Sequence, residues 1–414
     1  MKRITLLLFI LTSVFTISAQ DSLSVKKKKI NIAIHGFIKT DYWYDTRQVA
    51  YAREGLFTLF PKDINADKNG NDINGEPSFN YSAITSRLNF LITGPDAFGA
   101  KTSAFIEADF SGMSNVTINT FRLRHAYLEM KWKKADLLLG QFWHPNFVTE
   151  VFPTVISLNT GAPFQPFIRN PQIRFTRHFG NYRLIATALA QRDYSNSGPL
   201  GRDFSYLSNS LTPNLNLRFS YDKGKHHFGI SADWKTIRPS LTNDSNVISK
   251  NSVTGFSYMA YYGLKTKTFD WKTKAILGEN LTEHLLLGGY AVASFDTITG
   301  SRTYTPTRHI FLWTNFVFHK AFDKFSIHPA LFLGYAQNLG TVAENTGVYY
   351  ATGADIGSMY RISPSFSIKS GSIMFSLEWE FTQALYGKAD SKGIIKDTHA
   401  VANNRILFTG FYFF

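Results

Sequence analysis

The sequence predicts an all-β protein: a transmembrane, antiparallel, up-and-down β-barrel of sixteen strands, with long extracellular loops and one inward-folded loop. Three observations predict it. Apolar and polar residues alternate along segments of about ten residues. Tight turns alternate with long connections, and only the first 19 of the 414 residues come close to the apolar run of about 20 that a membrane helix needs. The chain has no Cys, which excludes disulfides, thiolate metal sites and Cys nucleophiles.

The N-terminus carries the pattern of a signal peptide. Lys2 and Arg3 precede a short apolar run over 6–15, and the small residues Ser18 and Ala19 follow it. This order of basic, apolar and small residues predicts export and cleavage after Ala19. The expected organisation is a signal peptide over 1–19, a basic periplasmic arm over 20–29 and the transmembrane β-barrel over 30–414. The expected location is the outer membrane.

The clearest alternation runs over 214–222. Leu215, Leu217 and Phe219 share one face of this segment, whereas polar residues such as Arg218 share the other. In a barrel that spans lipid the apolar face points outward, and in a soluble sandwich it points inward. Alternation alone therefore leaves both folds open.

The connections favour the barrel. Sixteen predicted strands follow one another along the chain: 30–44, 81–93, 100–112, 119–133, 135–144, 171–180, 182–192, 213–222, 225–236, 253–267, 270–284, 306–320, 323–336, 357–369, 372–386 and 402–414. Connections at one end are tight, such as Lys223–Gly224 and Ser370–Gly371, whereas those at the other end are mostly long, such as 145–170 and 285–305. Outer-membrane barrels show this asymmetry, with the long loops outside. An even strand count places both termini on the periplasmic side.

The last predicted strand ends in alternating aromatic residues. Tyr412 and the terminal Phe414 share one face of this strand with Phe408. The final strand must close the barrel, because an open sheet edge is not stable in lipid. A terminal Phe resembles the signal that the barrel assembly machinery reads, so we expect Tyr412 and Phe414 to form an assembly signal.

The faces opposite the apolar ones carry many charged residues, which predicts a polar lumen. The residues expected to line the pore and set its selectivity are Lys39, Arg87, Glu107, Asp109, Arg122, Arg124, Arg174, His178, Arg183, Arg218, Lys272 and Arg361. Unpaired charges are tolerated inside a protein only where water reaches them, and a sixteen-stranded barrel is wide enough for an aqueous channel. The excess of Arg favours anions. The alternative is a structural ladder in which Arg122 and Arg124 neutralise Glu107 and Asp109.

Two strings joined by a short turn, FRLRHAYLEM (121–130) and LLLGQFWHPNF (137–147), carry a family resemblance. Their R-x-R-x-A-Y and L-x-x-G-Q pattern resembles DcaP-like and related Gram-negative porins of the general trimeric porin superfamily. The resemblance implies a sixteen-stranded trimeric channel, with Arg122 and Arg124 in the lumen near a constriction. It also implies that Gln141 lies on the fifth strand among the pore residues. The alternation slips around His125, which predicts a β-bulge.

The connection 145–170 is the candidate for the inward-folded loop. It is rich in Pro and aromatic residues and has few charges, which is unusual for a long loop in water. In sixteen-stranded general porins the loop after the fifth strand narrows the lumen, and 145–170 holds that position. The residues expected in this constriction loop are Phe147, Glu150, Phe164, Phe167 and Arg169. The alternative is a loop at the rim or between subunits.

The first long loop contains an incomplete calcium pattern. Asp67, Asn69, Asn71 and Glu76 fall at the positions of a calcium-binding loop. The usual first Asp is replaced by Asn65, and Asn, Asp and Gly also make ordinary turns. Apart from this candidate we expect no metal and no cofactor.

These features predict an outer-membrane porin, a water-filled channel for passive diffusion of small hydrophilic solutes with a tilt toward anions and carboxylates. The alternative is a non-conducting surface barrel with an adhesive or structural role through its long loops, and an enzyme is not expected. The expected partners are small hydrophilic or anionic solutes, outer-membrane lipid and lipopolysaccharide, the barrel assembly machinery and further copies of the chain in a homotrimer. Nucleic acid is not expected despite the net charge of +14, because the chain is exported.

Overall fold

The computed structural model describes residues 30–192 and 194–414, and these residues close into one antiparallel barrel. The signal peptide predicted over 1–19 and the arm predicted over 20–29 lie outside the described residues. The described part of the chain forms sixteen barrel strands. They are β1 (Asn31–Asp45), β2 (two segments, Ser78–Ser82 and Arg87–Thr93), β3 (Lys101–Asp109), β4 (Arg122–Lys131), β5 (Ala135–Trp143), β6 (Arg169–Phe179), β7 (Tyr182–Leu189), β8 (Asn214–Lys223), β9 (His226–Ile237), β10 (Val253–Lys265), β11 (Phe269–Glu279), β12 (Ser301–Phe318), β13 (Ser326–Thr341), β14 (Ile356–Ser370), β15 (Ile373–Ala389) and β16 (Ile395–Phe413).

The first and last strands close the barrel. β1 pairs with β16 over nine residues, from Phe37 opposite Phe413 to Asp45 opposite Arg405, and it pairs with β2 on its other side. Each strand therefore has two neighbours, which satisfies the backbone N–H and C=O groups that lipid cannot. The predicted up-and-down barrel of sixteen strands is confirmed.

The predicted orientation of the strand faces is also confirmed. On β8 the apolar side chains are exposed on the outer wall, with Leu217 52% exposed, whereas Asn216, Arg218 and Ser220 point inward and are at most 4% exposed. An outer wall of Leu and Phe is stable against acyl chains and would be unstable against water. The polar residues therefore line the interior.

The connections carry further elements. Short strands lie at Val49–Ala52, Phe57–Pro61, Ser197–Gly198, Gly201–Arg202, Gly288–Asp296, Lys320–Ala321 and Tyr349–Thr352, and helical turns lie at Ile73–Gly75, Asn115–Thr117, Ser205–Ser208 and Thr282–His284. Among residues 30–192 and 194–414, no helix is long and apolar enough to cross a membrane. The strand predicted over 270–284 ends at Glu279, because Asn280 takes a positive φ of 50° and a helical turn follows.

The β-bulge predicted near His125 is present between β3 and β4. His125 lies opposite Glu107, and Leu123 lies opposite Ala108, so Arg124 is the extra residue. The bulge turns both Arg124 and His125 away from lipid, and the two side chains are buried. The change of register thus explains how two consecutive residues of one strand can face the interior.

The largest cluster of buried apolar residues lies inside the barrel. It joins Phe147, Phe164 and Phe167, which follow β5, with Phe57 of the first loop and with wall residues such as Phe332 on β13. The interior of the barrel therefore contains packed loop residues in addition to polar side chains of the wall.

Candidate functional site

The connection between β5 and β6, residues 144–168, folds into the lumen, and we call it the constriction segment. Phe147 and Phe167 are each 3% exposed, and Phe164 is fully buried. The ring of Phe147 stacks on Trp143 at the end of β5 with 3.8 Å between ring centroids. Aromatic packing against the wall explains why a loop rich in Phe and Pro folds inward instead of extending into water.

A second segment, missed in the sequence analysis, also enters the lumen. This first-loop hairpin consists of Val49–Ala52 paired with Phe57–Pro61. The ring centroid of Phe57 lies 5.0 Å from that of Phe167, and Phe57 is 1% exposed. The constriction segment is therefore joined by at least one further loop segment inside the barrel. The apolar run over 57–61 is the sequence feature that could have predicted this inward hairpin.

Four cationic side chains of the wall donate hydrogen bonds to the first half of the constriction segment and the residue before it. Arg174 Nη2 donates to the carbonyl oxygen of Trp143 at 2.6 Å, and Arg218 Nη1 donates to that of Pro145 at 2.8 Å. Lys274 Nζ donates to the carbonyls of Asn146 and Phe147, both at 2.8 Å. Lys272 Nζ donates to Thr154 Oγ1 at 2.7 Å. Among the described residues, Arg174 Nε and Arg218 Nε have no hydrogen-bond partner. A carbonyl or hydroxyl carries no formal charge, so the positive charges are not neutralised by these partners.

Two carboxylates on β15 bind the second half of the constriction segment. Glu378 accepts hydrogen bonds from the backbone N–H groups of Ile156 at 2.7 Å and Ser157 at 3.2 Å. Glu380 accepts one from Asn159 Nδ2 at 2.8 Å. The segment is thus suspended between a basic wall that binds its carbonyls and an acidic strand that binds its N–H groups.

Arg361 on β14 binds both inward segments. Its Nη1 donates to the carbonyl oxygen of Ala162 at 2.7 Å, its Nη2 donates to that of Leu59 at 2.8 Å, and Nη2 also lies 3.3 Å from Glu380 Oε1. On β16, Arg405 pairs with Asp45 and donates to the first-loop backbone. Arg361, expected as a pore-lining residue, is 1% exposed and fastens the two segments to each other.

The structure places the predicted ladder between β3 and β4. Arg122 binds Asp109 through two bonds of 3.1 and 2.9 Å, and Arg124 binds Glu107 at 2.7 Å and Asp109 at 2.9 Å. Arg87 lies 3.6 Å from Glu107. Both Arg122 and Arg124 are buried. This geometry supports the alternative in which these charges neutralise one another.

Two of the remaining candidates lie near the periplasmic end of the lumen. Arg183 Nη2 lies 2.7 Å from both Glu150 Oε1 and Asp222 Oδ2, and His178 Nε2 lies 2.7 Å from Asp136 Oδ2. Burial raises the pKa of the Glu150 carboxyl, but Arg218 and Arg183 lower it more, and the resulting pKa is about 2. These polar groups are partly exposed, in contrast to Arg361.

Three further candidates have local roles. Lys39 Nζ contacts Asp41 and the carbonyl of Ile156. The Arg169 guanidinium lies 4.9 Å from the ring centroid of Trp143. Gln141 shares the register of the outward Ala126 and donates through Nε2 to the carbonyl of Arg124 at 2.9 Å. Gln141 thus fastens the bulge in β4 from the outer face. It does not face the lumen, contrary to its expected place among the pore residues.

The C-terminal aromatics and the calcium pattern have simple structural accounts. Tyr412 and Phe414 are 53% and 51% exposed, and Phe414 exchanges two backbone hydrogen bonds with Gly36. The Asp67 carboxylate accepts hydrogen bonds from the N–H groups of Asn69 and Asn71. These hydrogen bonds form a turn and lower the pKa of Asp67. Across 30–192 and 194–414, no group of three or more His, Asp or Glu side chains is placed to share a metal ion.

Comparison with known proteins identifies the fold. No protein-family model matches the sequence, and no curated protein matches it. The outer membrane channel DcaP of Acinetobacter baumannii matches with a TM-score of 0.66 at 15% identity, over 95% of this chain and 100% of that one. OmpT of Vibrio cholerae matches with a TM-score of 0.53 at 9% identity, over 94% and 99% of the two chains. The anion-selective porin from Comamonas acidovorans matches with a TM-score of 0.53 at 10% identity, over 93% and 100%. The chain therefore has the fold of outer-membrane porins, as the sequence resemblance predicted.

Proposed function

We propose that this protein is an outer-membrane porin that admits small hydrophilic solutes by passive diffusion and prefers anions. The observation that carries the proposal is the set of four lumen cations Arg174, Arg218, Lys272 and Lys274. Their hydrogen bonds go to the constriction segment and to Trp143 directly before it, and none of the four forms an ion pair among the described residues. Apart from the attraction between Arg218 and Glu150, their charge therefore remains as a positive field beside the constriction segment, where charged side chains set selectivity.

The constriction segment limits the solutes to small ones. It occupies the lumen together with the first-loop hairpin, so these two segments narrow any path through the barrel. The Comamonas acidovorans porin, which shares this fold, is an anion-selective porin. Small carboxylates fit the sign of the field.

The proposal includes the assembly of the protein. The chain would be exported with cleavage of the signal peptide, inserted by the barrel assembly machinery through the C-terminal strand, and surrounded by outer-membrane lipid and lipopolysaccharide. A homotrimer is proposed as well, and a trimer form of OmpT from Vibrio cholerae shares the fold with a TM-score of 0.51.

A second candidate function is a non-conducting barrel that acts through its extracellular loops. The buried apolar cluster favours it, because Phe57, Phe164 and Phe332 pack together across the inside of the extracellular half. A lumen filled in this way would block ions as long as both segments stay in place.

Planar-bilayer recording of the purified protein tests the proposal. We expect open-channel conductance and a reversal potential of anion-preferring sign in a KCl gradient. The double variant Lys272→Gln/Lys274→Gln keeps a donor at each position but removes two charges, so it should shift the reversal potential toward zero. The matched control Lys250→Gln/Lys392→Gln removes two exposed charges outside the barrel strands and should leave it unchanged. Cation preference would contradict the anion tilt, and absence of conductance would favour the filled barrel.

A further inference from the structure

Four polar side chains form a chain of polar contacts at the periplasmic end of the lumen. Asp270 lies on β11, His319 directly follows β12, and Ser326 and His328 lie on β13. Asp270 Oδ2 is 3.3 Å from His319 Nε2, His319 Nδ1 is 2.8 Å from His328 Nδ1, and His328 Nε2 is 2.8 Å from Ser326 Oγ. The proposed function uses none of these residues.

The chain faces the lumen and reaches water. His328 lies opposite Ser367, and Asp270 lies opposite Val317, both of which are buried inward residues. The side chain of His319 is 28% exposed, whereas that of Asp270 is 9% exposed. A solute in the periplasm can therefore reach the imidazoles while the carboxylate stays behind them.

The chemistry of the groups fixes where the protons lie. The carboxylate of Asp270 lies nearest to His319 Nε2 and attracts the proton to that nitrogen, so His319 Nδ1 is an acceptor. His328 then donates from Nδ1, and its Nε2 accepts the hydroxyl proton of Ser326. One proton is thus shared between the two Nδ1 atoms, whose lone pairs converge on one point.

We infer that this point is a binding site for a divalent transition metal such as Cu²⁺ or Zn²⁺, which would replace the shared proton. Both Nδ1 atoms would be ligands, and water would complete the coordination. Imidazole nitrogen suits these metals, whereas Ca²⁺ and Mg²⁺ prefer oxygen. At metal–nitrogen distances of about 2.0–2.1 Å, tetrahedral coordination requires the two Nδ1 atoms to separate to roughly 3.3 Å. A small rotation of the partly exposed His319 ring would bring the two Nδ1 atoms to that distance.

The outer nitrogens of both rings already have the partners that a metal site needs. Histidine ligands usually donate their second N–H to a carboxylate or another acceptor, which fixes the ring and its tautomer. Asp270, 3.3 Å from His319 Nε2, is placed to take this role for His319. The Ser326 hydroxyl can accept from His328 Nε2 after rotating its proton. Two protein ligands make an exchangeable site, and Lys369, opposite Ser326 on β14, reduces its affinity by charge repulsion.

Titration of tag-free protein in detergent with CuCl₂, followed by calorimetry at pH 7.5, tests this inference. We expect one site per chain, weakened at least tenfold in His328→Gln and in His319→Gln. Asp270→Asn should weaken it by about 10- to 100-fold, as for other residues that orient a ligand. His227→Gln is the matched control. His227 lies on β9 at the same end of the lumen and is bound to Asp222. No second imidazole among the described residues is hydrogen-bonded to it. It should keep the parental affinity.

Electron paramagnetic resonance of the Cu²⁺-loaded protein reports the ligands of Cu²⁺ directly and does not depend on protein stability. Two coordinated nitrogens should give a superhyperfine pattern that is lost in His319→Gln/His328→Gln while the variant keeps the gel mobility of the folded barrel. The inference is overturned if His227→Gln weakens Cu²⁺ as much as His328→Gln does, or if the double variant binds Cu²⁺ as the parent does.

Discussion

The two halves of the lumen contain the same kind of ion pair, Arg with a carboxylate, in different surroundings. In the extracellular half Arg361 pairs with Glu380, and the two side chains are 1% and 2% exposed. In the periplasmic half Arg183 pairs with Glu150 and Asp222, and these side chains are 24–27% exposed. The chemistry is the same, but only the first pair is removed from water.

The difference shows that inward charge does not by itself indicate a water-filled pore. In the extracellular half the charged groups bind the backbone of the constriction segment and of the first-loop hairpin, so they act as the polar part of a protein interior. In the periplasmic half they are solvated and contribute to the field at the mouth of the lumen. A buried Arg that is paired with a carboxylate, such as Arg361, therefore acts as a fastener, whereas a partly exposed one, such as Arg183, lies where water reaches it.

The largest expected effect comes from Arg361→Ala. This change leaves Glu380 without its cation. It also removes one hydrogen bond to the constriction segment and one to the first-loop hairpin. Loss of one partner of a buried pair costs about 3–5 kcal/mol, and we expect that decrease in the free energy of unfolding. Urea unfolding of the barrel in liposomes, followed by Trp fluorescence, measures it.

Arg361→Lys is the matched variant for that prediction. It keeps the charge but cannot donate to Leu59 and Ala162 with the geometry of a guanidinium. We expect a smaller loss of stability together with noisier conductance. A loss below 1 kcal/mol in Arg361→Ala would show that the extracellular half is as wet as the periplasmic half, and the contrast would fail.

A charge on the opposite face of the wall should cost slightly less. Leu217 is 52% exposed on the outer wall, directly beside the inward Arg218. Leu217→Lys should lower the free energy of unfolding in liposomes by about 2–4 kcal/mol, the cost of Lys near the bilayer midplane. Leu200→Lys, in an exposed loop, is the control and should have little effect. Equal effects would contradict the assignment of the outer wall to lipid.

Much of the barrel could be predicted from the sequence because its signal is local. Strand β8 was predicted over 213–222 and spans Asn214–Lys223. Alternation identifies such strands, since successive side chains point to opposite faces. The same rule located the bulge beside His125, because an extra residue interrupts the alternation.

The filling of the lumen could not be predicted in the same way. The first-loop hairpin has no alternation over Phe57–Pro61, and its turn depends on positive φ angles at Arg53 and Glu54. Arg361 binds the carbonyl oxygens of Leu59 and Ala162, which lie 302 and 199 residues away. Every residue has a carbonyl oxygen, so the sequence carries no signal for which one a side chain binds.

Removal of the partly exposed pair should have a small effect on stability. Arg183→Ala deletes the partner of Glu150 and Asp222 where water can replace it. Exposed pairs contribute about 0–1 kcal/mol, so the free energy of unfolding should change by less than about 1 kcal/mol. The anion preference in planar bilayers should weaken, because the change removes a positive charge from the solvated mouth. A stability loss as large as that of Arg361→Ala would erase the distinction between the two halves.

The smallest expected effect is the pH dependence of the Glu150 contact. Its pKa is about 2, below the ordinary value of 4.5, because the attraction of Arg218 and Arg183 outweighs burial. A carboxyl whose pKa is lowered in the folded state contributes stability that is complete above the ordinary value and is lost as the pH falls toward the lowered one. The difference in urea midpoint between the parent and Glu150→Gln should therefore stay constant from pH 8 to pH 5 and shrink between pH 4.5 and pH 2. A difference that does not change between pH 5 and pH 2 would show that water, and not Arg218 and Arg183, sets the pKa of this carboxylate.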